Sequence, residues 1–254
     1  MCLPLLVVDS GSGGFSILTS ICARMPHLSY SYAADYDACP YGEHSTKYII
    51  DRMLSLVQVA EDRRRHGAIV IACNTASTLV LEHMRQKFSK PVVGVVPAVK
   101  PAFERYPGGK ILLLATPQTV GGKYLENLVS HHAHGTELER FGTTDLVSLS
   151  ESVVRGINSS RDIETVLEPL CDQNYDAVVL GCTHFSLLRQ ELQEFFRGAE
   201  LIDSAGSVAT RVQLVAGGLL DYRNNREFYF TSEHLLPQKF IEPFGFQRKM
   251  LVCL

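Results

Sequence analysis

Paired cysteines, long apolar runs and net charge are all scarce in this sequence. Its seven cysteines are irregularly spaced and form no CxxC pair, so they do not outline a disulfide framework. No apolar run reaches the ~18 residues of a membrane span, and the first residues lack the basic segment of a signal peptide. We therefore expect reduced thiols in a cytoplasmic protein. A net charge of −3 gives no electrostatic reason to expect nucleic acid as a partner.

What the chain does contain is a regular alternation of apolar runs and amphipathic segments. Its 254 residues, 46% of them apolar, can form one large α/β domain or two smaller ones. Apolar runs bounded by Gly, Pro or Asp are typical of buried parallel strands; they occur at Leu3–Val8, Tyr30–Ala34, Ile69–Ala72, Val92–Val96, Ile111–Ala115, Ala177–Leu180 and Leu201–Ile202. Segments with helical spacing lie at Thr46–His66, Ser77–Phe88, Gly122–His132, Arg161–Asp172 and Leu187–Phe196. This pattern predicts βαβ units, with helices on both faces of mainly parallel sheets.

The chain also contains an internal repeat. The stretch "AIVIACNTAS" (Ala68–Ser77) returns as "AVVLGCTHFS" (Ala177–Ser186), which places Cys73 and Cys182 109 positions apart. Two looser pairs occur at nearly the same offset: "VVDSGSGG" with "LATPQTVGG", and "VGVVPAVKPA" with "IDSAGSVATR". Three correspondences in order predict two similar α/β halves related by pseudo-two-fold symmetry. Chance similarity among apolar strands is the alternative.

Polar residues directly after the predicted strands are the candidate site residues. Ligands of open α/β sheets bind beyond the carboxyl ends of the strands, and two facing halves would bring one thiol to each side of a cleft. The candidates are Asp9, Ser10, Cys73, Asn74, Thr75, Thr116, Cys182, Thr183 and His184. Some of them have a purely structural alternative, because Asp9, Asn74 and Thr75 could simply cap turns or helices. The segment "DSGSGG" matches neither a dinucleotide nor a P-loop pattern.

Several reaction types fit these residues less well than a pair of acid/base thiols. Zinc would need a complementary cluster of ligands, and none is visible in the sequence. A Cys–His hydrolase would leave the second cysteine unexplained, and neither Lys100 nor Lys123 is marked as a pyridoxal lysine. A solute receptor would not need two symmetry-related thiols. A dithiol redox enzyme stays open if the two Cα atoms lie within ~7 Å.

Two opposed thiols suit the inversion of a stereocentre that bears hydrogen. One group removes a proton from one face of the carbon while the other delivers a proton to the opposite face, and no cofactor is required. The thiolate becomes available when its pKa falls toward neutral near a helix N-terminus or a cation. Donors such as Asn74, Thr75 and Thr183 are available to stabilise the carbanion charge.

Together the motifs resemble the glutamate racemases of the aspartate/glutamate racemase superfamily. The motifs that carry the resemblance are "VVDSGSGG", "CPYG", "IACNTAS", "VVGVVPAVKPA", "LGCTHF" and "LIDSAG", in order from Val7 to about Arg211. The chain departs from the usual pattern at Ser186, where proline is commoner, and at Cys39, for which we expect a packing role. The resemblance implies a cofactor-independent and metal-free racemase that makes D-glutamate for peptidoglycan.

The resemblance also implies a role for each matching residue. Cys73 and Cys182 would be the acid/base thiols, with Asp9 and His184 as their polar assistants, and Glu151 matches an acidic position near the second thiol. The residues that would hold or face glutamate are Asp9, Ser10, Pro40, Tyr41, Gly42, Asn74, Thr75, Thr116, Thr119, Thr183 and His184.

Domain boundaries and partners complete the expectations. The family fold predicts a discontinuous first domain, residues 1–96 plus 208–254, and a second domain of residues 97–207. Val208–Tyr222 is expected to be a helix on the first domain, and Glu227–Thr231 and Met250–Cys253 are expected to be late strands. We expect a small-molecule substrate and neither nucleic acid nor membrane as a partner. A homodimer and activation by a peptidoglycan precursor, suggested by "VVPAVKPA", are left open.

Overall fold

The computed structural model describes residues 2–233 and 236–254, whose strands form two parallel sheets. One sheet has six strands and the other has four. The strands within these residues are β1 Leu5–Asp9, β2 Tyr30–Ala34, β3 Ala68–Ile71, β4 Val92–Gly94, β5 Lys110–Ala115, β6 Glu137–Gly142, β7 Ala177–Leu180, β8 Glu200–Ile202, β9 Arg226–Phe230 and β10 Arg248–Leu251.

Helices connect the strands. They are α1 Gly14–Arg24, α2 Thr46–Arg63, α3 Asn74–Lys87, α4 Val99–Arg105, α5 Pro117–Val120, α6 Lys123–His132, α7 Asp145–Val154, α8 Ser160–Leu167, α9 Arg189–Phe195, α10 Ala205–Ala216 and α11 Gln238–Ile241. Short 3₁₀ turns at Tyr36–Ala38, Tyr41–Glu43 and Thr183–Leu188 lie in the loops that matter for the site.

The two sheets repeat one strand order. The larger sheet runs β10-β9-β2-β1-β3-β4 and the smaller runs β6-β5-β7-β8, so β2-β1-β3-β4 has the same topology as the whole smaller sheet. Every pairing is parallel. The expected α/β class with two mainly parallel sheets is confirmed. In both sheets the strand order reverses between the first and third strands, and such a switch point is where doubly wound sheets bind ligands.

Strand β1 shows why the apolar runs form buried strands. All five of its residues are buried. Leu5 and Val7 face one hydrophobic cluster, while Leu6 and Val8 face the cluster on the other side of the sheet. This alternation follows from the pleat, which directs successive side chains to opposite faces. A strand covered by helices on both faces therefore contains an unbroken apolar run.

Some elements were missed or misplaced by the sequence patterns. Strand β6 was missed because its side chains are mostly half-buried at the edge of the smaller sheet. Helices α1 and α7 were also missed. The helix expected at Val208–Tyr222 instead spans Ala205–Ala216, followed by a 3₁₀ turn at Gly217–Leu219, because two consecutive glycines weaken helix propagation there.

The strands support the expected domain ranges, which we propose for this chain. Strands β1–β4, β9 and β10 of the larger sheet fall within residues 1–96 and 208–254, and those of the smaller sheet fall within 97–207. Met1, His234 and Leu235 belong to the first range and lie outside the described residues. Among the described helices, none is long and apolar enough to cross a membrane.

Candidate active site

Asp9 ends β1 at the bottom of the site and is fully buried. Its carboxylate accepts a hydrogen bond from the Gly11 amide at 2.8 Å and one from the Thr183 hydroxyl at 3.3 Å. Burial raises the pKa of Asp9 to about 6, while the charge of His184 and the Gly11 amide oppose that rise. The carboxylate thus lies between the two halves and titrates close to neutral pH.

Replacing Asp9 by asparagine should therefore stabilise the fold at neutral pH. A carboxyl with a pKa near 6 in the folded state and 3.8 in the unfolded state contributes stability below pH 3.8 that is lost as the pH rises through 6, which amounts to ~3 kcal/mol. Asp9→Asn removes this loss. The free energy of unfolding of the variant should therefore exceed that of the wild type by more at pH 7 than at pH 4. Urea unfolding at both pH values measures it. A gain that is independent of pH, or equal to that of the exposed Asp172→Asn, would contradict the assignment.

Cys73 lies two residues after the end of β3 and directly precedes the first turn of α3. It is 5% exposed, and the Ser10 hydroxyl lies 3.7 Å from its sulfur. Burial and the Asp9 carboxylate raise the pKa of Cys73 to about 12, with the backbone of Ala76 opposing the shift. The expected fall of this thiol pKa toward neutral is therefore not found, and Cys73 is a protonated thiol at neutral pH.

Cys182 occupies the equivalent position after β7, at the start of the 3₁₀ turn that contains Thr183 and His184. It is 6% exposed, and His184 is 2% exposed. Burial lowers the pKa of His184, but its contacts with Cys182, Cys39 and Glu151 outweigh burial and hold this pKa well above 6.5. The second thiol therefore has a cation beside it, whereas the first has a carboxylate.

Glu151 lies in α7 and contacts the loop that follows β1. Its Oε1 accepts from the Ser12 amide at 2.7 Å and lies 2.8 Å from His184 Nε2, while its Oε2 accepts from the Ser12 hydroxyl at 2.8 Å. Burial would raise the pKa of Glu151, but His184 and Ser12 lower it below its usual value of 4.5. Glu151 is therefore a carboxylate that orients His184 from behind.

Three threonine hydroxyls meet across the two halves. Thr75 Oγ1 lies 2.9 Å from Thr116 Oγ1 and 3.5 Å from Thr119 Oγ1, and the last two lie 3.1 Å apart. All three residues are nearly fully buried. Beside them Asn74 is 2% exposed, and its Nδ2 has no hydrogen-bond partner among the described residues. A buried amide without a partner costs free energy, and a bound carboxylate would supply the missing acceptor.

The "CPYG" segment approaches the same region from β2. Gly42 packs against the second half so closely that a Cβ atom there would lie 3.0 Å from carbons of both Thr116 and Thr144. The hydroxyl of Tyr41 is already used, since it donates to Asp35 at 2.8 Å. The Tyr41 hydroxyl is thus no longer free to donate to a ligand, although its oxygen can still accept. Pro40 is half-buried beside it.

Because the glycines of "DSGSGG" have no side chains, residues from other segments can pack closely against this loop. A Cβ on Gly13 would lie 2.5 Å from both His184 Nδ1 and Thr183 Oγ1, and one on Gly14 would lie 2.7 Å from the Tyr32 hydroxyl. The sequence did not reveal this function of the loop, because the partners come from distant segments. It also missed Ser12, which contacts Glu151, and the approach of Cys39 to His184 and Glu151.

Comparison with known proteins gives a consistent result. Residues 16–212 match the family model described as Asp/Glu/Hydantoin racemase. The chain is 40% identical over 230 residues to a glutamate racemase of Shewanella oneidensis, covering 90% of this chain and 84% of that protein. It is 43% identical over 210 residues to one of Vibrio parahaemolyticus, covering 82% and 77%.

Solved structures agree with these relatives. The crystal structure of Escherichia coli glutamate racemase in complex with L-glutamate and the activator UDP-MurNAc-ala has a TM-score of 0.91 and 34% identity, covering 99% of this chain and 100% of that one. A glutamate racemase from Francisella tularensis in complex with D-glutamate has a TM-score of 0.81, with coverage of 99% and 97%. Its 24% identity bears on the fold alone.

Proposed function

The chain belongs to the Asp/Glu/Hydantoin racemase family and is a racemase, and from that premise we propose that it interconverts L- and D-glutamate with Cys73 and Cys182 as its two acid/base groups. The resemblance found in the sequence motifs is confirmed at the level of the family. Glutamate is the substrate in the names of the relatives that cover most of the chain. Beyond the family, we propose which residues transfer the protons and in which order.

One observation supports the two-thiol reaction most strongly: equivalent positions of the two sheets carry buried thiols in opposite electrostatic settings. Cys73 is protonated beside Asp9, and Cys182 lies beside the cationic His184. The charge of Cys182 contributes to the raised pKa of Cys73, so the two sulfurs are close enough to interact. A resting site of this kind has an acid on one side and a group suited to become a base on the other.

We propose the following proton transfers. The Cys182 thiolate forms an S–H bond with the α-proton of L-glutamate, and the electron pair of the broken C–H bond moves into the α-carboxylate. The Cys73 thiol then gives its proton to the opposite face of the carbon, which yields D-glutamate and a Cys73 thiolate. D-glutamate reacts by the reverse sequence. The substrate ammonium group would favour the Cys73 thiolate, which burial disfavours in the ligand-free protein.

Binding of the substrate is assigned to neutral polar groups at the strand ends. Asn74 Nδ2 and the threonine hydroxyls at Thr75 and Thr116 are neutral donors that can receive the two carboxylates. Ser10 and Thr183 flank the two thiols. Donors at fixed positions also stabilise the charge that develops on the α-carboxylate. We therefore propose that these residues bind glutamate, with Tyr41, Gly42 and Pro40 closing the same side.

A clear preference for glutamate over aspartate is the expected specificity. Aspartate is one methylene shorter, and a methylene alone discriminates by only ~1–3 kcal/mol. A misplaced carboxylate would additionally leave buried donors such as Asn74 Nδ2 unpaired, which costs ~1–3 kcal/mol more. Initial rates with the two amino acids, followed by chiral chromatography, measure the ratio of kcat/KM. Equal values would indicate a racemase of broader specificity.

Catalysis should proceed without metal or pyridoxal, because the two thiols and the donors provide all proton transfers. Dialysis against a chelator is expected to leave racemisation unchanged, and the protein should show no pyridoxal absorbance. Thiol alkylation should abolish activity, and bound glutamate should protect against it. Loss of activity on chelation followed by recovery with added metal would overturn the mechanism.

A second cavity supports activation by a peptidoglycan precursor. A cavity of about 290 Å³ lies between the ends of β4 and α10, lined among others by Val96, Pro97, Tyr124 and the cationic Lys100 and Arg211. Two cations beside an apolar wall suit a nucleotide diphosphate. We propose that this site binds a UDP-linked precursor such as the activator in the Escherichia coli structure. The D-glutamate made by the activated enzyme would then be used to build the cell wall.

The activation is tested by adding UDP-MurNAc-alanine to the racemisation assay. We expect an increase in kcat/KM that disappears in the double variant Lys100→Ala/Arg211→Ala, while the activity without activator stays the same. The exposed Lys87→Ala serves as the matched control and should retain the response. An unchanged rate in the wild type, or an undiminished response in the double variant, would refute the assignment.

A further inference from the structure

Three side chains of different chemistry that could bind a metal ion lie close together next to the proposed active site. They are Cys39 from the loop after β2, Glu151 from α7 and His184 itself, and their donor atoms all lie within 4.8 Å of one another. The three positions are far apart in the sequence, so no ligand spacing was visible there. Neither Glu151 nor His184 departs from the family motifs, but Cys39 does. The cluster is thus completed by a residue characteristic of this chain.

Gly11 shows that the donor atoms point at one small space. A Cβ atom built on Gly11 would lie 2.6 Å from Glu151 Oε1, 2.9 Å from His184 Nε2 and 3.0 Å from Cys39 Sγ. Zinc requires about 2.0–2.2 Å to oxygen or nitrogen and about 2.3 Å to sulfur. An ion could not sit at the Cβ position itself, which is one bond from the Gly11 Cα, so it would have to lie on the far side of the donors from this backbone. The donor atoms, all within 4.8 Å of one another, would have to draw together by about 1 Å to bind one ion.

The donor set and the charge both suit zinc. A thiolate, an imidazole and a carboxylate are the three kinds of side chain that bind this ion, and three protein ligands with one open position form a common zinc site. Asp9 and Glu151 also bring two acidic groups close to His184. Cys39 is half-buried.

We propose that Cys39, Glu151 and His184 form an inhibitory site for zinc. The inhibitory part rests on the proposed function, since His184 is the assistant of Cys182 in that mechanism; the binding part does not. An ion bound to His184 Nε2 would displace its contact with Glu151 and hold the imidazole as a neutral ligand. Cys182 would then lose its cationic neighbour.

Protons are released when the ion binds. Thiolate and imidazole bind zinc only in their deprotonated forms, so metal binding is coupled to the release of protons. Zinc forms bonds to the sulfur and to Nε2, and the S–H proton and the Nε2 proton of the imidazolium leave to solvent. The affinity should therefore fall as the pH is lowered. Calorimetry in buffers of different ionisation enthalpy measures the number of protons released.

The deciding experiment is the equilibrium binding of Zn²⁺ to the metal-free full-length chain, in competition with a chromophoric chelator. We expect one equivalent to bind. Cys39→Ala should weaken binding by more than the ~10–100-fold that loss of an outer-shell partner costs. Cys171→Ala, which removes an exposed thiol, should bind like the wild type. Cobalt substitution should give a thiolate-to-metal absorption band that is absent in Cys39→Ala.

Activity measurements complete the test. Zinc should inhibit the wild type, while the rate of Cys39→Ala, compared with its own rate without zinc, should not change when zinc is added. Cys39→Ser provides a second variant if the alanine variant proves unstable. Undiminished zinc binding in Cys39→Ala would overturn the proposal, as would loss of binding in Cys73→Ser, which would place the ion between the two proposed catalytic thiols. The binding assays require no turnover, so an inactive wild type would refute the proposed function alone.

Discussion

Replacing either Cys73 or Cys182 by serine is expected to lower the rate of racemisation by ~10²–10⁴-fold, the range attributed to proton transfer by a positioned group. Serine has nearly the same shape, but its hydroxyl is a much weaker acid than a thiol. Both residues are almost fully buried at the ends of β3 and β7, so the isosteric replacement should leave the fold intact. Circular dichroism and thermal unfolding provide that control.

The two variants should differ in the exchange of the α-hydrogen with deuterated solvent. Each remaining thiol can still remove a proton from the face that it contacts and return deuterium to the same face. Cys73→Ser should therefore exchange L-glutamate preferentially, and Cys182→Ser should exchange D-glutamate preferentially. Nuclear magnetic resonance of each pure enantiomer measures both rates. One inactive variant and one nearly normal variant would indicate a single-base enzyme instead.

The second large effect is expected at Gly13, which contacts no reacting atom in the proposed mechanism. In Gly13→Ala the new methyl carbon would lie 2.5 Å from His184 Nδ1 and from Thr183 Oγ1 and 2.7 Å from the His184 amide nitrogen. The clash requires the loop after Cys182 to move. A displacement of about 1 Å at a catalytic group can cost ~10²-fold in rate. We expect a loss of that order in kcat, together with a lower melting temperature.

Gly206→Ala is the matched control for this experiment. Gly206 lies in α10, and a Cβ there meets nothing within 4 Å among the described residues. Alanine is the better helix former by ~0.5–1 kcal/mol, so this variant should be as stable as the wild type or more so, and fully active. The backbone of Gly13 is itself helical, with φ −56°, so only crowding can explain a loss there. A fully active Gly13→Ala would contradict the described packing of His184.

The fold was largely accessible from sequence because its strands are buried on both faces. Runs such as Ile69–Ala72 and Ala177–Leu180 have no polar residue to hide their pattern, and they match β3 and β7 closely. Strand β6 escaped because an edge strand needs no continuous apolar run. Helix α1 escaped because its start, "GGFS", resembles a glycine turn. Its glycines are explained by neighbours that only the tertiary structure provides.

The sequence was sufficient to predict the site residues at the strand ends. It was not sufficient to predict the contacts that these residues make with other segments. Residues at or just beyond the strand ends, such as Asp9, Cys73 and Thr116, can be located because strand ends meet at one edge of a parallel sheet. The partners of their side chains are set by how the two halves face each other. Tyr41 bonds to Asp35, Ser12 bonds to Glu151, and the Asn74 amide nitrogen finds no partner within residues 2–233 and 236–254. None of these contacts has a spacing rule in the sequence.

The most direct test of the two-thiol mechanism is the reaction of the wild type with pure L- and pure D-glutamate in deuterated water, stopped early. Two opposed bases predict that each product molecule contains deuterium at its α-carbon, while the recovered substrate still contains hydrogen. Chiral separation followed by mass spectrometry measures both fractions. Deuterium in the recovered substrate at the same rate as in the product, or product that retains the original hydrogen, would show that one base serves both faces and would contradict the mechanism.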